Sequence, residues 1–183
     1  ILTSGRGMRM FESVEIYAKR VGHGPLIRFI RSSQLLHDKL GIDTRDVEYN
    51  ESSGVLRASL LVTSVHQGTA YGGHSIMYGI VIAAFGDMFT GAAAYIRAGT
   101  NNVVNHAETR IRYTGHVHIV PGTRIYTEVN VGSMRLRLRS LYCKSIIYQE
   151  CSGSRRDVAH VWAKIPNMLE KVFERILKRT THL

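Results

Sequence analysis

The spacing of apolar residues changes period along this chain, and each change marks a boundary between predicted elements. Residues 8–21 and 25–40 read as helices. The second is opened by Pro25 in its first turn and closed by Gly41, with Leu26, Phe29, Ile30, Leu35, Leu36 and Leu40 on its apolar side. The stretch DVEYNESSGVLRASLLVTS predicts two strands joined by a Ser/Gly-rich turn at residues 50–54. Residues 75–97 are the most apolar part of the chain and reach the length of a membrane span. Asp87 stands at the middle of this segment, however, and small residues recur at Gly79, Ala83, Gly86 and Thr90. That pattern predicts a buried helix whose small-residue face lets a sheet approach closely, and not a transmembrane segment.

Strand signals follow at residues 102–113, 123–131, 134–148 and 157–165, separated by turn residues at Pro121-Gly122, Gly132-Ser133 and Gly153-Ser154. Ile125, Thr127, Val129 and Val131 alternate with Arg124, Tyr126, Glu128 and Asn130, so one face is buried and the other wet. The expectation is an antiparallel meander. MRLRLRS alternates in the same way, placing Arg135, Arg137 and Arg139 on one face, and its phase breaks near Ser140, which predicts a bulge. Leu169, Val172, Phe173, Ile176 and Leu177 form a helical stripe near the end. The resulting division is an N-terminal helical extension over residues 1–42, a central domain over 43–166 and a C-terminal amphipathic helix over 167–183.

Composition narrows the partners more than the fold. With 183 residues and 44% hydrophobic residues, the chain can build one real core. A net charge of +10 favours anionic company such as phosphorylated small molecules, RNA or a membrane surface. Cys143 and Cys151 lack metal-type spacing and are too few for a disulfide scaffold, which points to free thiols in a reducing compartment. The basic bias of residues 1–31 is of the kind found around organelle import segments, and mitochondrial localisation is the expectation it raises, with the cytoplasm as the alternative. His116 and His118 share a face if extended, but no carboxylate or cysteine cluster accompanies them, so no metal site is expected. No phosphate-binding glycine loop is present.

The segment GTAYGGHSIMYGIVIAAFGDM resembles the glycine loop and central helix of hotdog-fold acyl-CoA thioesterases. It is also similar to the effector-binding domain of the malonyl-CoA-sensing lipid-synthesis repressor of bacilli. Downstream, RIRYTGHVHIVPGTRIYTEVNV resembles the family's strand pair through Ile111, Tyr113, Val117 and Gly122. The resemblance covers residues 44–165. It implies an α+β hotdog fold, an antiparallel sheet wrapped around a long central helix. It also implies a homodimer or hotdog-type heterodimer pairing its sheets edge to edge, and a CoA or ACP thioester as ligand with no further cofactor.

Carried over residue by residue, the resemblance leaves catalysis open. Val65, Tyr71 and Ile80 occupy the places where such thioesterases carry an Asn or Asp, a His, and an Asp or Glu. Gly72, Gly73, His74 and Ser75 are expected at the helix start, where backbone amides would bind the thioester carbonyl. Asp87, two turns beyond Ile80 and about 10 Å deeper, is the substitute base, with His74 and His66 as relocated alternatives. Asp87 has a structural alternative, a carboxylate meeting a neighbouring strand, an Arg or a subunit partner. His106 aligns with a water-orienting position but shares a polar strand face, and Tyr71 and Tyr78 are expected to pack. Arg135, Arg137 and Arg139 are candidates for CoA or RNA phosphates, or a solvated face. Two readings follow: a thioesterase-like protein that hydrolyses or binds acyl-CoA or acyl-ACP, and a catalytically inactive subunit of a larger mitochondrial ribonucleoprotein or membrane assembly.

Overall fold

A computed structural model of the chain describes residues 11–32, 47–63, 66–71, 74–98, 107–120, 122–137, 140–151 and 153–166. A short strand β1 (Glu12–Ser13) leads into α1 (Val14–Arg20) and α2 (Gly24–Ser32). Then come β2 (Val47–Asn50), β3 (Val55–Leu61), β4 (Gln67–Tyr71), β5 (His74–Met77) and the long helix α3 (Gly79–Ala98). The chain continues through β6 (Glu108–Tyr113), β7 (Arg124–Asn130), β8 (Arg135–Arg137), β9 (Ser140–Cys151) and β10 (Ser154–Pro166). The last expected helix, 167–183, lies outside the described residues.

One antiparallel sheet runs β1-β2-β3-β7-β9-β10-β6, and β4 and β5 form a separate pair. Its inner face follows from alternation: Leu56, Ala58, Leu60, Ile125, Val129, Ile147, Val161 and Ile165 are all buried. α3 lies across this face, against β7, β9 and β10. Phe85 and Phe89 meet edge to face at 5.0 Å, and burying each stabilises the fold by about 1.5–3 kcal/mol. Gly86 makes the approach possible. A Cβ there would sit 2.6 Å from Val161 Cγ2 and 3.1 Å from Ile147 Cδ1, so the predicted small-residue face is where the helix meets the sheet. α3 has a membrane span's length and apolarity, but its apolar residues are spent on this packing, 67% of its most apolar window being buried.

Several expectations are corrected by the topology. The four late strands are not a simple meander: β7, β9 and β10 are sequential neighbours, but β6 pairs with β10 at the far edge while β3 pairs with β7. The phase break near Ser140 is not a bulge in one strand. β8 folds back on β9, pairing Arg135 with Tyr142 and Arg137 with Ser140. A bulge occurs instead in β10, between Asp157 and Ala159. The first helix begins at Val14, because Glu12 and Ser13 pair with β2 and Ser13 caps the helix by accepting from the Glu15 amide. α2 is tied to the end of α3 through the Phe29–Tyr95 ring contact and His23 Nε2, 2.8 Å from the Tyr95 carbonyl.

On the outer face, Glu128 gathers three donors. Arg57 reaches Oε1 through Nε and Nη2 at 3.0 and 2.8 Å, Tyr148 Oη donates to the same oxygen at 3.0 Å, and Arg155 Nη1 donates to Oε2 at 3.2 Å. Partial burial opposes the charge on Glu128, but hydrogen bonds from Arg57 and Tyr148 outweigh it and hold the carboxyl below its ordinary range. Burial, reinforced by the carboxylate, pushes the Tyr148 phenol up to about 12, so it stays a donor.

Gly86→Val is expected to lower the thermal midpoint by roughly 2–12 °C, from overpacking that costs about 1–3 kcal/mol, as measured by calorimetry. Glu128 has a depressed folded pKa, so its stabilisation is present at neutral pH and is lost as pH falls through that value. The difference in midpoint between the native chain and Glu128→Gln should therefore be flat from pH 6 to 8 and shrink below about pH 4.

Candidate functional site

The glycine segment and the start of α3 meet at one end of the sheet. Gly72 and Gly73 lie outside the described residues, but they stand between Tyr71 and His74, which are paired across β4 and β5. His74 and Ser75 therefore belong to a strand. α3 begins four residues later than expected, at Gly79, because the backbone of β5 is committed to strand partners. The Met77 amide donates to the Val117 carbonyl at 3.0 Å, and the Ile119 amide to the Ser75 carbonyl at 2.9 Å. Tyr78, whose amide donates to the His66 carbonyl, accepts from the Val81 amide and so starts the helix.

This start is held from two sides. Tyr113, the last residue of β6, donates its hydroxyl to the Gly79 carbonyl at 2.9 Å, and a Cβ on residue 79 would lie 3.1 Å from that hydroxyl. The 115–120 segment is pinned to the sheet by Gln149, a fully buried inner-face residue whose Nε2 donates to the His118 carbonyl at 3.0 Å. Arg156 donates to Gln149 Oε1 and to the His116 carbonyl. No acidic residue occupies the first turn of α3, so that turn places no carboxylate of its own at the positive end of the helix dipole. Around it stand exposed apolar side chains: Tyr78 at 52%, Ile80 at 75% and Tyr113 at 49%. The Tyr78 ring, half exposed, packs against Gly68, where a Cβ would come within 2.9 Å of it.

The candidate bases sit on separate elements. Asp87 is the one carboxylate of α3, eight residues and about 12 Å along from Gly79. It is half-buried and accepts from Thr109 Oγ1 of β6 at 2.8 Å. His66 is 1% exposed, and its Nδ1 accepts from the Thr63 amide at 3.0 Å. An amide can only donate, so the neutral ring carries its proton on Nε2 and its basic nitrogen is occupied. The side chains of Tyr71 and His74 lie outside the described residues, as do Val65, His106 and Arg139, and the side chains of Arg135 and Arg137 on β8. Among the described residues no group of three or more His, Cys, Asp or Glu is placed to hold a metal. Sequence patterns missed Thr109 and Gln149, which carry no motif; only the tertiary structure brings Thr109 to Asp87 and Gln149 to the 115–120 segment.

No family model matches the chain, and no curated protein matches it by sequence. Its structure does have counterparts. A thioesterase family protein from Silicibacter pomeroyi matches with a TM-score of 0.55 at 14% identity, over 77% of this chain and 96% of that one. The PaaI protein from the phenylacetic acid degradation operon of E. coli matches with a TM-score of 0.55 at 14% identity, over 77% and 94%. An acyl-CoA hydrolase from Staphylococcus aureus, solved with coenzyme A, matches with a TM-score of 0.51 at 17% identity, over 63% of this chain and 65% of that one. Together with the sheet-wrapped helix, these likenesses establish the fold: the chain is a hotdog α+β protein, and its structural neighbours are thioesterase-superfamily hotdog proteins.

Gln149→Leu should cost about 1–3 kcal/mol, by removing the buried side-chain amide that donates to the His118 carbonyl and accepts from Arg156. By hydrogen-exchange mass spectrometry, peptides covering residues 75–78 and 115–120 should exchange faster, and those covering β10 should be unchanged.

Proposed function

We propose that this protein binds acyl thioesters at the N-terminal end of α3, in a dimer whose second copy completes the site. The observation that carries this reading is the carboxylate-free helix start ringed by Tyr78, Ile80 and Tyr113. A thioester needs both parts. Its carbonyl oxygen is stabilised by backbone amides at the positive end of a helix, and its acyl chain by apolar cover. In this reading the glycines of the β4–β5 connection border the carbonyl, and basic side chains meet the CoA or ACP phosphates. β6 is an edge strand of the sheet, and a copy paired there would lie beside Tyr113 and over Ile80. Hydrolysis, where it occurs, would use Asp87 to activate water, since His66 has its basic nitrogen engaged by Thr63.

A second reading, a catalytically inactive subunit of a larger assembly, is favoured by Ile80. By the resemblance to thioesterases this residue stands where they carry a carboxylate, and it is the most exposed large hydrophobic residue described.

Purified protein assayed with acyl-CoAs from C2 to C16 separates the two. Turnover that falls at least 100-fold in Asp87→Asn, with binding retained, supports the enzyme. Binding without turnover at any chain length supports the inactive subunit with its thioester site intact. Absence of binding to every acyl-CoA and acyl-ACP sinks the thioester reading.

A further inference from the structure

The outer face of the sheet, turned away from α3, presents a second surface that thioester binding does not use. Register places its side chains in three cross-strand rows over β6, β10 and β9. Arg112, His160 and Ile146 form one row, Arg110, Trp162 and Lys144 the next, and Glu108, Lys164 and Tyr142 the third. Trp162 is thus at the centre of a nine-residue grid, flanked by a cation on each neighbouring strand. It is 38% exposed and Tyr142 is 39% exposed, so two aromatic rings face water on one surface. Lys144 Nζ stands 5.8 Å from the indole centroid and the His160 ring 5.9 Å from it. Arg110 pairs with Glu108, but no carboxylate among the described residues pairs with Arg112, Lys144 or Lys164. A depression of about 660 Å³ lies here, bordered by Arg110, Arg112, Tyr142, Trp162 and Lys164.

Either component alone is ordinary. An exposed indole is common on a surface, and a cation beside an aromatic ring on a sheet needs no ligand to explain it. Their interleaving is more specific. A flat π-face accepts a base, and cations one strand-spacing to either side accept the phosphates that flank it. A duplex hides its base faces within the stack, and an acidic peptide would use the cations and leave the rings bare. The chain's net charge of +10 adds long-range attraction for a polyanion. We propose that this face is a platform for single-stranded RNA. Bases stack on Trp162 and Tyr142, and phosphates are met by Arg110, Arg112, Lys144 and Lys164. The platform lies on the opposite side of the sheet from α3, so it stands whether or not the thioester site is occupied.

Trp162 is the only tryptophan in the chain, so intrinsic fluorescence reads this surface directly. Titrating the full chain with a single-stranded oligouridylate should quench the emission, and affinity should fall roughly 10- to 50-fold between 50 and 200 mM salt, as three or four phosphate contacts require. By anisotropy of labelled RNA, Trp162→Phe should bind within a few fold of the native chain. Trp162→Ser should bind roughly 5- to 150-fold more weakly, and Lys144→Glu and Arg112→Glu at least tenfold more weakly, with circular dichroism confirming that each is folded. Unchanged emission, undiminished binding by Trp162→Ser, or equal binding of duplex RNA or inorganic polyphosphate would each overturn the proposal. So would tighter binding of single-stranded DNA than of RNA. Loss of residues 167–183 that shifts Trp162 emission to longer wavelength would assign the face to the chain's own C-terminal segment and overturn it as well.

Discussion

The contact between α3 and the sheet at Gly86 governs everything else in this molecule. With hydrogen in place of a side chain, the helix backbone settles against Val161 and Ile147, and the curved sheet closes around it. That closeness buries Phe85, Phe89 and Ile82 on one side and the inner-face residues of β3, β7, β9 and β10 on the other. It also sets where the helix begins. α3 is a rigid rod about 30 Å long, so seating its middle fixes both ends: Gly79 beneath Tyr113, and Tyr95 against His23 and Phe29.

The candidate site inherits its geometry from this arrangement. Gln149 on the inner face anchors His118, the segment around His118 pairs with β5, and β5 delivers Tyr78 to the helix start. A polar residue in the core thereby transmits the position of the sheet to a segment that the sheet does not directly include. The same construction explains why Asp87 and His66 fall on different supports. One is aimed at the edge strand through Thr109, the other folded into the turn after Val62, where its Nδ1 completes the backbone hydrogen bonding of Thr63.

The two faces of the sheet have different chemistry because only one of them is needed for the core. The inner face is apolar with a few satisfied polar groups, such as Thr127 and Ser145 at 3.1 Å. The outer face is free to carry charge, and it does so in two ways. Over β3 and β7, Arg57 is paired with Glu128 and Arg124 donates to Ser59, and Tyr148 is covered by Tyr126 and Arg155. Over β6, β10 and β9 the cations outnumber the carboxylates, and the rings of Trp162 and Tyr142 remain open.

Much of the fold was legible in the order of the residues. Alternation in Ile125 to Val131 marked a half-buried strand, the apolar run through Asp87 marked a core helix, and its small residues marked the close approach, because these signals arise from local geometry and burial that the residues themselves carry. The candidate site was legible only in outline. A glycine pair before an apolar run suits a helix start as well as a hairpin, and the pairing of β4 with β5 decided for the hairpin. The position of β6 at the far edge, the fold-back of β8 on β9, the Gly79–Tyr113 contact and the grid around Trp162 were decided by tertiary structure alone. Each joins residues tens of positions apart or turns on which strand edge is free, and no local pattern of hydrophobicity encodes which partner a strand finds.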